Sequence, residues 1–255
     1  MIKAFIFDLD GTLVQTEILK AKSYGRAAVD LAPDRVTEEA VVEAFKEVVG
    51  RPREEVAQRL MKRFGLEDAA RARLDALQVS TPFQAFLQVR LGIYESMLAD
   101  PQALLDHLCP DNLALLQWAR RNGYRTGLAT MSHCPQVMRV LRILNLKAAF
   151  DFIATQDDVE HGKPDPEIYT LVGRALQVAP VECLIIEDSL TGVQAALAAG
   201  MGCIVVTTDF TRQSIHDNGL VDERWVVDHP PDLNAVAQAF IEENRLAGEA
   251  SSAAR

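Results

Sequence analysis

Two aspartates stand two residues apart, Asp8 and Asp10, at the end of the apolar run in MIKAFIFDLDGTL. In extended chain, positions i and i+2 face the same side, so both carboxylates can address one site. Like charges that close repel, and a cation beside them relieves the repulsion. Gly11 lets the chain turn at once; a lone Asp-Gly turn would need no function. A second acidic pair, Glu187-Asp188, ends the run CLII and precedes a helix-start signal, where a lone acid is an ordinary cap. A third apolar run ends in Ala129-Thr130-Met131-Ser132, whose hydroxyls can hydrogen-bond an anionic oxygen. Lys163 lies in the turn-rich HGKPDP, where a lysine taken alone is a solvated loop residue. Each piece has a bland reading; together they supply a hard-metal site and a phosphate site. Asp8, Asp10 and Asp188 offer oxygen ligands suited to Mg²⁺, and Thr130 and Lys163 offer donors to phosphoryl oxygens.

The elements that must position these residues are short buried strands. Four apolar runs, Ile2–Phe7, Arg125–Thr130, Cys183–Glu187 and Cys203–Thr207, read as parallel strands separated by helical segments. Asp111 is expected to cap a helix over LALLQWARR that Gly123 ends, and further helices are expected at Cys134–Leu144, Pro166–Leu176 and Ser189–Ala199. Strand and helix alternate, which predicts a doubly wound parallel α/β sheet. In such sheets ligands bind at the carboxyl ends of the strands, where the two acidic pairs and the Thr130 hydroxyl fall, with Lys163 able to reach back from its loop. Residues 15–99 differ: they carry helical periodicity without a convincing strand, broken at Gly50-Arg51-Pro52, near Ser80-Thr81-Pro82 and at Pro101. The expected organisation is an α/β core over 1–14 and 100–243, an inserted all-helical cap over 15–99, and a small polar flexible tail over 244–255.

Composition narrows the partners. With 36 acidic and 26 basic residues the formal charge is −10, which disfavours nonspecific nucleic-acid or anionic-membrane binding. No apolar run approaches the length that spans a bilayer, and the N-terminal run is too soon cut by aspartates for a signal peptide. Cys109, Cys134, Cys183 and Cys203 are widely spaced, without zinc-ligand spacing, so they are expected to be reduced, mostly buried thiols of a cytoplasmic protein. His133 follows a strand end without an acid at suitable spacing, and Trp118 and Trp225 read as packing residues. Monomer and homodimer both remain open.

FDLDGTL, the strand end at Thr130, Lys163 in GKPDP, and EDSLTGVQAA resemble, in order, the four motifs of the haloacid dehalogenase superfamily. The resemblance is to its helical-cap subfamily, which includes phosphoglycolate phosphatase and β-phosphoglucomutase. It implies a Rossmann-like core and a Mg²⁺-dependent phosphatase acting on a small phosphorylated metabolite. By the resemblance Asp8 is the nucleophile that forms an aspartyl-phosphate, and Asp10 is the general acid/base. Thr130 and Lys163 bind the phosphoryl group, with Gly11, Thr12 and Ser132 beside the substrate. Asp188 and the Asp10 carbonyl ligate the metal, and Glu187 lies in or near its outer shell. Arg53 resembles the cap arginine by which the mutase grips a second phosphate. Lys20 stands where the mutase cap has a histidine that couples closure to proton transfer, and Thr12 where it has a valine. These departures favour a phosphatase over a mutase. The intact acid pair argues against a true dehalogenase, and the intact motifs against a non-catalytic binding protein.

Overall fold

The structure, a computed structural model, describes residues 1–49, 51 and 53–253, without the side chains of 250–253. These residues fall into two compact units, one of 16–106 and one of 1–15 together with 107 onward. The expected break at Gly50-Arg51-Pro52 falls on Gly50 and Pro52, which lie outside the described residues.

The 16–106 unit is helical throughout: α1 (Thr16–Leu31), α2 (Glu38–Phe45), α3 (Arg53–Phe64), α4 (Glu67–Arg71), α5 (Leu74–Leu77), α6 (Pro82–Met97) and α7 (Pro101–Leu105). The breaks read at Thr81-Pro82 and Pro101 are helix starts. Thr81 accepts from the Gln84 amide while the Gln84 side chain returns a bond to the Thr81 amide, and the Asp100 side chain caps α7. α7 buries Leu104, so the helical segment runs past the expected limit at residue 99. Its centre is aromatic. The Tyr24 ring lies 5.9 Å from those of Phe45 and Phe86, and the buried Arg90 guanidinium sits 4.6 Å from both Tyr24 and Tyr94.

The other unit is built on a six-stranded parallel sheet in the order β3-β2-β1-β4-β5-β6. Its strands are β1 (Ala4–Phe7), β2 (Arg125–Ala129), β3 (Phe152–Ala154), β4 (Cys183–Glu187), β5 (Gly202–Val206) and β6 (Val226–Val227). β1 is central: Ala4 pairs with Arg125 on one side and Cys183 on the other, and Phe7 pairs with Leu128 and Ile186. β1 and β4 are buried at every position, which is why they read as unbroken apolar runs. β3 and β6 have only three and two residues, too short for a periodic pattern, and the sequence reading missed both.

The connecting helices are α8 (Pro110–Arg121), α9 (Cys134–Ile143), α10 (Glu167–Ala175), α11 (Leu190–Ala198) and α12 (Arg212–Asn218), followed by α13 (Leu233–Ala253). Asp111 is not the cap of α8; that position is Cys109, with Pro110 opening the helix and Asp111 in its first turn. The described part of the expected flexible tail, 244–253, is instead helical, because α13 continues to Ala253. Arg245 bridges Glu242 and Glu249 one turn either side, supporting the Ala-rich end of the helix. No helix of the described residues is long and apolar enough to cross a membrane.

Candidate active site

Parallel strands deliver their last residues to one edge of the sheet, and β1 and β4 lie side by side where the strand order reverses. Asp8 follows β1, and its amide donates to the Ile186 carbonyl of β4, so the tips of the two acidic strands are held in register. Gly11 then takes φ +87°, a left-handed conformation. A β-carbon there would fall against the Asp188 carboxylate, so glycine is required twice over. The turn is pinned from below by Asn112, whose side-chain amide donates to the Thr12 carbonyl at 2.5 Å. The Thr12 hydroxyl donates to Asp188 Oδ1 at 3.5 Å. Asn112, buried on α8, carries no motif that would have marked it.

The Lys163 side chain is only 3 % exposed. Its ammonium donates to Asp8 Oδ1 at 2.7 Å, to Glu187 Oε1 at 2.6 Å and to the Ala129 carbonyl at 3.0 Å. The reading of a solvated loop lysine therefore gives way to a buried cation that joins the tips of β1, β2 and β4. Glu187, fully buried, is saturated. Its Oε1 accepts from Lys163 and from the Tyr169 hydroxyl at 2.8 Å, and its Oε2 from the Asp188 and Ser189 amides and the Ser189 hydroxyl. Five donors on one carboxylate leave it no lone pair to give a metal. Glu187 thus belongs to Lys163 rather than to a metal's inner shell. Its place also explains Gly192 on α11, where any β-carbon would strike the Glu187 carboxylate.

Asp10 is held separately. Its Oδ2 accepts from Ser132 Oγ at 2.5 Å and from Thr130 Oγ1 at 3.3 Å, while the Ser132 amide donates back to the Thr130 hydroxyl at 3.1 Å. The two hydroxyls read as phosphate donors therefore turn toward the second aspartate here.

Burial pushes the Asp8 carboxyl well above the usual carboxylate range. Lys163 pulls it down, and Glu187 and Asp10 push it further up. Glu187 is held below its ordinary value despite its burial, because Lys163 and its other donors favour the charged form. Against desolvation, Asp8 and Glu187 hold the Lys163 ammonium above its ordinary value. One buried cation serves two buried carboxylates, Asp8 and Glu187. A divalent cation at the tip of the sheet would favour the charged form of Asp8 against its burial.

The donor chemistry fits Mg²⁺ in a specific way. Among the described residues no three His, Cys, Asp or Glu side chains converge as a metal cage. Two carboxylates, Asp8 and Asp188, and a main-chain carbonyl at Asp10 are what Mg²⁺ takes when it keeps several waters.

Arg53 belongs to the other unit, at the start of α3, where its carbonyl accepts from the Tyr24 hydroxyl at 3.4 Å. In that unit Lys20 pairs with Glu17 at 3.3 Å. His133, read as lacking an acid, pairs with Asp157 at 2.7 Å. That partner follows β3, the strand the sequence did not disclose. Of the four thiols only Cys183 and Cys203 are buried; Cys134 is exposed and Cys109 half-buried. Burial pushes Cys183 up to about 11 and Cys203 further.

Residues 2–200 match the family model of haloacid dehalogenase-like hydrolases. This chain is a member of that family. The CbbY protein of Cereibacter sphaeroides is 30 % identical over 217 residues, which are 83 % of this chain and 87 % of that protein. A phosphorylated carbohydrates phosphatase of Thermotoga maritima is 29 % identical over 203 residues, 78 % and 82 % of the two chains. The crystal structure of CbbY from Rhodobacter sphaeroides in complex with phosphate superimposes with a TM-score of 0.66 at 27 % identity, covering 91 % of this chain and 96 % of that one. The six-stranded Rossmann-like sheet of this hydrolase, with a helical segment between β1 and β2, is the architecture expected of the family.

Proposed function

We propose that this hydrolase is a Mg²⁺-dependent cytoplasmic phosphatase that cleaves a small phosphorylated metabolite, of the sugar phosphate or phosphoglycolate type, through an aspartyl-phosphate on Asp8. The observation that carries the reading is the buried Lys163 bridge, which fixes one oxygen of Asp8 and leaves the other to attack. Asp8 Oδ2 forms the bond to phosphorus as the bond from phosphorus to the substrate oxygen breaks, and Asp10 gives that leaving oxygen a proton. Asp10 then takes a proton from water, the water oxygen displaces the Asp8 carboxylate from phosphorus, and inorganic phosphate leaves. The Thr130 and Ser132 hydroxyls, on turning from Asp10, are the donors assigned to the phosphoryl oxygens. Lys163, with its three N–H bonds engaged, supplies positive charge beside Asp8, and Gly11 and Thr12 form the turn next to them. Asp8, Asp188 and the Asp10 carbonyl would hold Mg²⁺, which when bound neutralises phosphoryl charge. The relative named a phosphorylated carbohydrates phosphatase supports a sugar phosphate as substrate. Arg53 is assigned to a second anionic group or a hydroxyl of that substrate.

The test is inorganic phosphate release over a panel of sugar phosphates, phosphoglycolate, nucleotides and an aryl phosphate, with and without Mg²⁺. Release from at least one ester that requires Mg²⁺ supports the reading; none from any ester overturns it. A mutase is separated by β-glucose 1-phosphate with a trace of the 1,6-bisphosphate. Glucose 6-phosphate accumulating with little free phosphate would replace the phosphatase reading. Lys20, paired with Glu17 where the mutase has its gating histidine, favours prompt hydrolysis instead.

A further inference from the structure

Tyr169 projects from α10 and is completely buried, yet none of the four motifs includes it. Its hydroxyl donates to Glu187 Oε1 at 2.8 Å, the same oxygen that accepts from Lys163 at 2.6 Å. Its ring centroid lies 4.8 Å from the Lys163 ammonium. The three N–H bonds of that ammonium go to Asp8, Glu187 and the Ala129 carbonyl, and the aromatic face closes a further side. One side chain therefore touches both the cation that steadies the nucleophile and the carboxylate that competes for it.

We propose that Tyr169 is a positioning residue for phosphoryl transfer, setting how far the Lys163 ammonium leans toward Asp8 rather than toward Glu187. The inference rests on the phosphatase reading for its kinetic part. The physical reasoning is one of shared charge. A phenol donating to Glu187 Oε1 takes up part of the negative charge that otherwise draws Lys163 away from Asp8. Phenylalanine would fill the same space and keep the aromatic face but return that charge to Lys163. The ammonium would then sit deeper on Glu187, and its bond to Asp8 Oδ1 would lengthen. Burial also pushes the Tyr169 hydroxyl well above its ordinary value, so it remains a donor throughout the working range.

The experiment compares the full-length wild type with Tyr169→Phe and Tyr169→Leu. It measures Mg²⁺-saturated hydrolysis of para-nitrophenyl phosphate and the ¹H–¹⁵N spectrum of lysine ammonium groups. The resonance of Lys163 is identified by its loss in Lys163→Arg. Tyr169→Phe is expected to lower kcat by about tenfold or more while KM moves less than about threefold, since the ammonium acts on the nucleophile rather than on initial binding. Its Lys163 resonance should shift, and Tyr169→Leu should lose further activity with the ring. Three results overturn the proposal: kcat of Tyr169→Phe within about twofold of wild type, a loss confined to KM, or an unchanged Lys163 resonance. A fall in melting temperature alone would mark a packing residue and count against it. If the wild type turns over no ester, the phosphatase reading fails by itself. The Lys163 resonance then still decides the clamp, upheld by a shift in Tyr169→Phe and overturned by none.

Discussion

Replacing Glu187 by glutamine keeps the shape of the side chain and removes its charge. All five donors around the carboxylate lose an anionic acceptor, and wherever the new amide NH₂ lies it faces at least two of them. Placed at Oε1 it confronts the Lys163 ammonium and the Tyr169 hydroxyl; placed at Oε2 it confronts two backbone amides and the Ser189 hydroxyl. Breaking one side of a buried, hydrogen-bonded ion pair costs about 3–5 kcal/mol. At roughly 2–4 °C per kcal/mol for a chain of this size, the melting temperature should fall by about 6–20 °C. The Mg²⁺ requirement should change less than in Asp188→Asn, because Glu187 has no lone pair left for the metal. Calorimetric melting and Mg²⁺ titration of phosphate release, run on both variants, check the pair of expectations. A Glu187→Gln protein that melts like wild type but needs as much extra Mg²⁺ as Asp188→Asn would refute the reasoning and return Glu187 to the metal.

Asp8→Asn should keep its fold yet lose turnover by several powers of ten, measured by phosphate release, since an amide cannot form the acyl-phosphate. Gly192→Ala forces either α11 or the Glu187 carboxylate to move, so it should cost about 1–3 kcal/mol in thermal stability and lower kcat as well. Arg53→Ala should raise KM for the best substrate more than it lowers kcat; equal losses in kcat and kcat/KM would remove Arg53 from ground-state binding. Asp228 is held below the usual carboxylate range: desolvation pushes it up, but Thr207, His216 and Arg212 outweigh this. A depressed carboxyl stabilises the fold above its unfolded value and loses that contribution as pH falls through its folded value. Asp228→Asn should therefore lower stability slightly near neutrality, by well under about 1 kcal/mol for so exposed a cluster, and by less as pH falls through the folded value of Asp228. A difference that grows on acidification would contradict the sign.

The strands bearing the acids were legible because they are buried on both faces and so are continuously apolar, and because each ends in charge. β3 and β6 were not, since a strand of two or three residues has no period to detect. The missing β3 hid the Asp157 partner of His133, a contact spanning two loops. Asp8, Asp10, Lys163 and Asp188 could be named from motif spacing alone. What spacing could not reveal was the allocation of Glu187, which depends on five donors from three segments, nor Tyr169 and Asn112, whose roles exist only once α10 and α8 pack against the sheet. Residues 244–253 are small and polar, a composition that suggests disorder, yet their alanines and the Arg245 pairs favour helix.

The helical segment leaves the sheet unit at Gln15 and returns at His107, and the Gln15 amide donates to the His107 carbonyl at 2.8 Å. The Cys109 amide donates to the Leu13 carbonyl at 3.1 Å, and Val14 bridges Leu108 in antiparallel fashion. The departing and returning chains are thus stitched together before the excursion begins. For the sheet, residues 16–106 are topologically one long hairpin loop with its mouth sewn shut. Loop-closure entropy grows only logarithmically with length, so insertions and deletions beyond that stitch tax the sheet little. Such a junction lets the length of the excursion vary while the stitched stem keeps Asp8 and Asp10 where they are.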